Sequence, residues 1–169
     1  TINADRTLTG SIITTNSALS GAYALTITGN AVFGDGTGTD TINLSGSGKN
    51  LSVSGTTTLS ANVTTSGTQT YTGATTLSGG DRTLTATTVN FGSTLAGGTN
   101  ALTVTGNLDL DGAATGLNSL SVSGTSNLGA NVTTSGTQTY TGATTLSGGA
   151  RTLTATTVNF GSTLAGGTN

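Results

Sequence analysis

The sequence predicts an all-β chain wound as a parallel β-helix, or β-solenoid, of about nine coils of 15–18 residues with a triangular cross-section. Three observations predict it: a long segment that recurs almost verbatim, a short hydroxyl-rich mark that recurs inside it, and strict alternation of apolar and polar residues. The run from Leu51 to Asn100 returns from Leu120 to Asn169, offset by sixty-nine positions. Four pairs differ: Thr57 and Ser126, Thr58 and Asn127, Ser60 and Gly129, Asp81 and Ala150. Such near-identity requires that both copies meet the same surroundings, which stacked coils provide. The chain therefore reads as one solenoid segment over 1–169, with 51–119 and 120–169 as successive copies of a four-coil repeat, the second truncated.

The short mark is a hydroxyl residue, an apolar or small residue, a second hydroxyl residue and usually Gly. It reads Thr26-Ile27-Thr28-Gly29, Ser52-Val53-Ser54-Gly55, Thr70-Tyr71-Thr72-Gly73, Thr103-Val104-Thr105-Gly106, Ser121-Val122-Ser123-Gly124 and Thr139-Tyr140-Thr141-Gly142. Fainter forms occur at Thr85-Ala86-Thr87-Thr88 and Thr154-Ala155-Thr156-Thr157, and an early one, Thr7-Leu8-Thr9-Gly10, reads as two places out of register. The marks predict one inward stack of Val53, Tyr71, Ala86, Val104, Val122, Tyr140 and Ala155, with the hydroxyl residues as an outward ladder.

Alternation identifies the elements as strands. In Leu102-Thr103-Val104-Thr105-Gly106-Asn107-Leu108-Asp109-Leu110, Leu102, Val104, Leu108 and Leu110 share the inward face. Thr, Val, Ile and Gly are poor helix formers, and no helical period competes. Gly and Asn at the breaks suit sharp corners. Phe91 and Phe160 are expected in the core. The step from Thr26 to Ser52 is longer than any other between marks, and the surplus is assigned to a corner loop, Gly34 to Asp40.

Composition narrows the function. Only 6% of residues are charged and the formal net charge is −2, so the four basic residues form no patch for a phosphate backbone. Cys and His are absent, which removes thiolate sites, disulfides and the commonest general base. No apolar run approaches the roughly 20 residues of a membrane helix, so no membrane insertion is expected, and an export address would lie outside this segment.

The text Val63-Thr64-Thr65-Ser66-Gly67-Thr68-Gln69-Thr70-Tyr71-Thr72-Gly73-Ala74-Thr75-Thr76-Leu77, repeated from Val132 to Leu146, resembles the repeats of filamentous haemagglutinin-like bacterial exoproteins. Leu102 to Asn107 and Leu120 to Gly124 share the style, and the resemblance runs from about Leu25 to Asn169. It implies a right-handed β-helical rod, export through a partner outer-membrane transporter (two-partner secretion), an extracellular or cell-surface location, and adhesion or biofilm cohesion with a host or matrix ligand. The chain departs from that family's secretion domain, with its Asn-Pro motifs, in having no Pro.

Candidate chemistry is sparse. Asp109 and Asp111 stand two apart on a strand, roughly 6.5–7 Å between Cα atoms, a separation compatible with glycoside hydrolysis. No third acid or base accompanies them, so no enzyme is expected. Asp35-Gly36-Thr37-Gly38-Thr39-Asp40-Thr41-Ile42-Asn43 follows a calcium-binding nonapeptide at all but its first place, which makes Asp35 and Asp40 the candidate metal ligands and calcium the one candidate cofactor. The Thr-x-Thr rows raise ice binding as an alternative. The chain also lacks any terminal capping pattern, so end-to-end stacking on neighbouring coils of the same or identical chains is expected.

Overall fold

The computed structural model describes residues 1–37 and 40–166, with 21 β-strands and no helix among the described residues. The strands stack in parallel on three faces. Face one carries the first halves of β1 (Arg6–Thr15) and β3 (Leu25–Phe33), then β5 (Leu51–Val53) and β8 (Gln69–Tyr71). It continues with the second halves of β10 (Arg82–Phe91) and β12 (Leu102–Leu110), then β15 (Ser126–Leu128), β18 (Thr144–Leu146) and β21 (Leu164–Gly166). Face two carries the second halves of β1 and β3, then β6 (Thr57–Leu59), β9 (Thr75–Leu77), β11 (Leu95–Ala96), β13 (Ala114–Leu117), β16 (Val132–Thr134) and β19 (Leu153–Thr154). Face three carries β2 (Leu19–Gly21), β4 (Thr41–Leu44), β7 (Asn62–Thr65), the first halves of β10 and β12, β14 (Leu120–Val122), β17 (Thr137–Tyr140) and β20 (Thr157–Phe160).

The result is a β-solenoid of about eight turns. Along face one the partners run Arg6, Leu25, Leu51, Gln69, Val89, Leu108, Ser126, Thr144 and Leu164. Each coil therefore advances the chain by eighteen to twenty positions, except for twenty-six from Leu25 to Leu51. The shorter coil expected from the spacing of the marks is corrected upward. The short intervals come from counting Thr85-Ala86-Thr87-Thr88 as a strand mark. It is a corner inside β10, where one extra residue shifts the pairing with β12 between Thr85 and Thr88.

That corner has a counterpart in β1, shifted between Thr9 and Ile12, so Thr7 pairs with Thr26 in register rather than two places out. Facing the two bulges are Gly29 and Gly106, with φ of 132° and 134°. A Cβ at either would fall 1.8 Å from the Gly10 carbonyl oxygen or 1.9 Å from that of Ala86, so only Gly fits. Their N–H groups donate to the Ser54 and Ser123 hydroxyls at 3.0 Å. The following Asn30 and Asn107 accept the N–H of Thr56 and Thr125 in the next coil at 2.9 Å, and Asn50, Asn62 and Asn131 do the same for Thr68, Thr83 and Thr152. Corner backbone donors are thus satisfied where the strand ladder is interrupted.

The inward side chains form one core: Ile27, Val53, Leu84, Val104, Val122 and their neighbours are buried, as are the expected Leu102, Leu108, Leu110 and Phe91, while Phe160 is half-buried. The expected single stack is corrected. Val53 and Tyr71 lie on face one, Val104, Val122 and Tyr140 on face three, and Ala86 at the corner inside β10. Half-buried Ala155 follows β19.

The cause is the phase of the long repeat. From Leu51 to Leu120 the chain occupies eleven successive strand positions, where twelve would complete four coils. Each copy therefore advances three and two-thirds turns and begins one face away from its predecessor, which corrects the expected four coils. The tetrapeptide Arg-Thr-Leu-Thr records this: it lies on face one at Arg6, on face three at Arg82 and on face two at Arg151. Three faces accept one text because each presents the same two-residue period to one shared core.

The longest coil holds two insertions, not one loop. Residues 34–40 separate β3 from β4, and residues 45–50 separate β4 from β5; residues 38 and 39 lie outside the described set.

Candidate functional site

The outward Thr and Ser residues are exposed or half-exposed throughout. They form two blocks, each four coils deep. On face one the block is Thr7 and Thr9, Thr26 and Thr28, Ser52 and Ser54, Thr70 and Thr72. On face three it is Thr83 and Thr85, Thr103 and Thr105, Ser121 and Ser123, Thr139 and Thr141. Thr87 sits in the bulge, Thr154 belongs to face two, and Thr156 lies at a corner where its N–H donates to the Gly136 carbonyl at 3.0 Å. The ladder expected as one surface is two patches, displaced along the axis by the same one-face shift as the repeat.

Beyond the face-one block the outward row changes character. It continues as Asn90, Asp109, Asn127 and Thr145 in successive coils. Asn127 Nδ2 donates to Asp109 Oδ1 at 2.8 Å and Asn90 Nδ2 to Asp109 Oδ2 at 3.4 Å, so the carboxylate bridges the coils on either side. Beside this row runs a second outward row, Thr88, Asn107, Thr125 and Ala143, and between the two rows lies an open trough of about 360 Å³. The backbone of Leu108 and Ser126 forms its floor. Asp109 is half-buried in this arrangement, and Asp111, which does not line the trough, is exposed.

Inside the rod, sequence reading missed a polar node. Gln69 is fully buried, and its Nε2 donates to the carbonyls of Val63 at 3.0 Å and Thr85 at 2.9 Å, which lie on different coils. The Tyr71 hydroxyl donates to Gln69 Oε1 at 3.0 Å, and the Tyr71 ring stacks on Phe91 at 5.4 Å between centroids. Gln138, Tyr140 and Phe160 repeat the arrangement on face three, with the same hydroxyl bond at 3.0 Å and stacking at 5.5 Å. Burial pushes both tyrosine hydroxyls up from their ordinary value. The signal was present, since two places before an inward Tyr71 is an inward Gln69.

Asp35 and Asp40 close their own loop. The Asp35 N–H donates to Asp40 Oδ2 at 3.0 Å, and the Thr37 N–H donates to Asp35 Oδ1 at 2.8 Å, with the Thr37 hydroxyl donating to the same oxygen. The Thr37 hydroxyl, and then its N–H, hold the Asp35 carboxyl below the usual carboxylate value. Among the described residues no group of three or more His, Cys, Asp or Glu side chains converges on one point. Gly38 and Thr39 of the nonapeptide lie outside the described residues.

One ion pair ties the early coils. Lys49 Nζ lies 3.2 Å from Asp5 Oδ1 and 5.9 Å from the Tyr23 ring centroid, and Asp5 Oδ1 also accepts the Ala24 N–H at 2.8 Å. That N–H, followed by Lys49, holds the Asp5 carboxyl below its ordinary value.

No family model, curated protein or solved structure matches the chain. A β-helical repeat region is what its geometry establishes. The haemagglutinin-like resemblance rests on the repeat text.

Proposed function

We propose that this chain is a rod segment of a secreted bacterial surface adhesin or extracellular filament protein, serving adhesion or cell–cell cohesion and not catalysis. The observation that carries the reading is the unbroken parallel ladder through about eight turns, built from a repeat that each of the three faces accepts. An architecture of this kind extends by adding copies and holds a distant tip away from its base. The repeat text resembling filamentous haemagglutinin-like exoproteins supports a surface location and a transporter partner. Large inward side chains of the terminal coils, Leu8 at 37% exposure and Leu164 at 48%, suit cover by further coils of the same or an identical chain.

The two Thr and Ser blocks favour this reading over ice binding. Four coils at ~4.8 Å limit each flat patch to roughly 15–20 Å, and face one turns to Asn and Asp beyond it. Calcium stabilisation is also less favoured, since Asp35 and Asp40 already accept the N–H and hydroxyl groups of their own loop. Immunogold labelling of thin-sectioned cells with antibody against 51–119 tests the proposal. Label on surface filaments is expected, and label confined to the cytoplasm refutes it.

A further inference from the structure

We infer that the trough on face one is a binding site for an extended, neutral glycan. The inference goes beyond the rod reading, which would survive its failure. The trough runs along the axis, and one wall presents Asp109, Asn127 and Thr145 one per coil, at the ~4.8 Å spacing of the strands, while Asn90 of the preceding coil holds Asp109. An extended β-linked glycan advances by close to that distance per sugar, so successive sugars meet equivalent positions of successive coils. After the bonds within the row, Asn127 keeps an amide oxygen and an amide hydrogen, Asp109 keeps acceptor capacity, and Thr145 keeps its hydroxyl. Alternating acceptors and donors of this kind suit vicinal hydroxyl groups, which donate and accept together.

Charge selects the ligand further. Among the described residues Asp109 is the only acidic side chain lining the trough, and no basic one lines it. An acidic polysaccharide would meet repulsion with no cation to offset it, so a neutral chain fits.

The repeat supplies an independent observation. Two copies that agree elsewhere differ at Ser126, Asn127 and Gly129, three of the four substituted positions. All three lie against the coil that carries Asp109 and Asp111: Ser126 pairs with Leu108, Asn127 with Asp109, and the Gly129 N–H donates to the Leu110 carbonyl at 2.7 Å. Asn127 supplies the amide that Thr58 lacks. Gly129 leaves open the space beside Asp111, where a Cβ would stand 3.0 Å from the Leu110 carbonyl oxygen and 3.5 Å from Asp111 Oδ1. Two of the three, Ser126 and Asn127, line the trough itself, so the copies differ where it is built, and Asn127 adds a hydrogen-bonding amide to its wall.

Calorimetric titration of the 169-residue chain with cellohexaose, xylohexaose and chitohexaose tests the site. Saturable binding of at least one is expected. It should weaken at least tenfold in Asp109→Asn/Asn127→Thr, while Thr26→Val/Thr28→Val on the same face leaves it unchanged. Asn127→Thr restores the residue of the other copy, so melting curves will show the fold intact. Absence of binding by all three sugars, binding indifferent to the double substitution, or hexalysine binding in their place would each overturn the inference.

Discussion

Replacing Tyr71 with Phe removes one oxygen atom from the interior and leaves Gln69 Oε1, fully buried, without its donor. An unpaired buried acceptor costs about 1–3 kcal/mol. In a domain of this size each kcal/mol lowers the melting temperature by about 2–4 °C, so a fall of about 2–12 °C is expected. Gln69→Leu should cost at least as much, because the Tyr71 hydroxyl loses its acceptor and the Val63 and Thr85 carbonyls lose the amide that joins them. The double variant removes both unpaired groups at once and should be less destabilised than the sum of the single ones by about 0.5–3 kcal/mol. Equilibrium urea unfolding followed by far-UV circular dichroism measures this, provided the slope stays constant across the four proteins. Strict additivity would refute the argument, because it would mean that the hydroxyl and the amide act independently. The same cycle at Gln138 and Tyr140 should agree in sign although it acts on another face.

Two further outcomes follow from the corner and core geometry. Gly106→Ala should cost at least about 3 kcal/mol, from a φ of 134° and a Cβ lodged against the Ala86 carbonyl, while Gly48→Ala, with φ of 64° and open space around it, should cost about 1–2 kcal/mol; urea midpoints that coincide would contradict the corner assignment. Stability should decline above about pH 10, where tyrosine ionises in the unfolded chain but burial keeps Tyr71 and Tyr140 protonated in the folded one. The raised folded value means that this contribution is complete below the unfolded value and is lost as pH rises toward the folded one. Unfolding midpoints measured from pH 8 to 11.5 should fall less steeply in Tyr71→Phe/Tyr140→Phe, and parallel profiles would count against it.

Period-two alternation and the long recurrence carried the fold, because both follow from local backbone geometry. Strand orientation was equally legible: Leu102 and Val104 are buried while Thr103 and Thr105 are exposed, as alternation requires. Phase was not. Ala86 sits in a bulge flanked by threonines and imitates a strand centre, and β10 and β12 run through a corner with no Pro to mark it. A text that suits three faces equally carries no label saying which face it occupies, so the one-face slip needed the pairing partners. The trough was half legible, in that Asp109 stood out as an acid, but its partners Asn90 and Asn127 lie 19 and 18 positions away and meet it only when the coil length is known.

The fractional advance of the long repeat has a consequence for how such a protein changes over time. Loss or gain of one whole copy by recombination would preserve the backbone ladder at the junction, since the incoming strand meets a neighbour of the same period. Everything beyond the junction would nevertheless swing by a third of a turn about the axis and shift along it by about 18 Å at ~4.8 Å per coil. A ligand patch such as the one around Asp109 would then point in a new direction relative to whatever anchors the rod. Three such events would return it to its original bearing, so copy number acts as a setting for azimuth as well as for length.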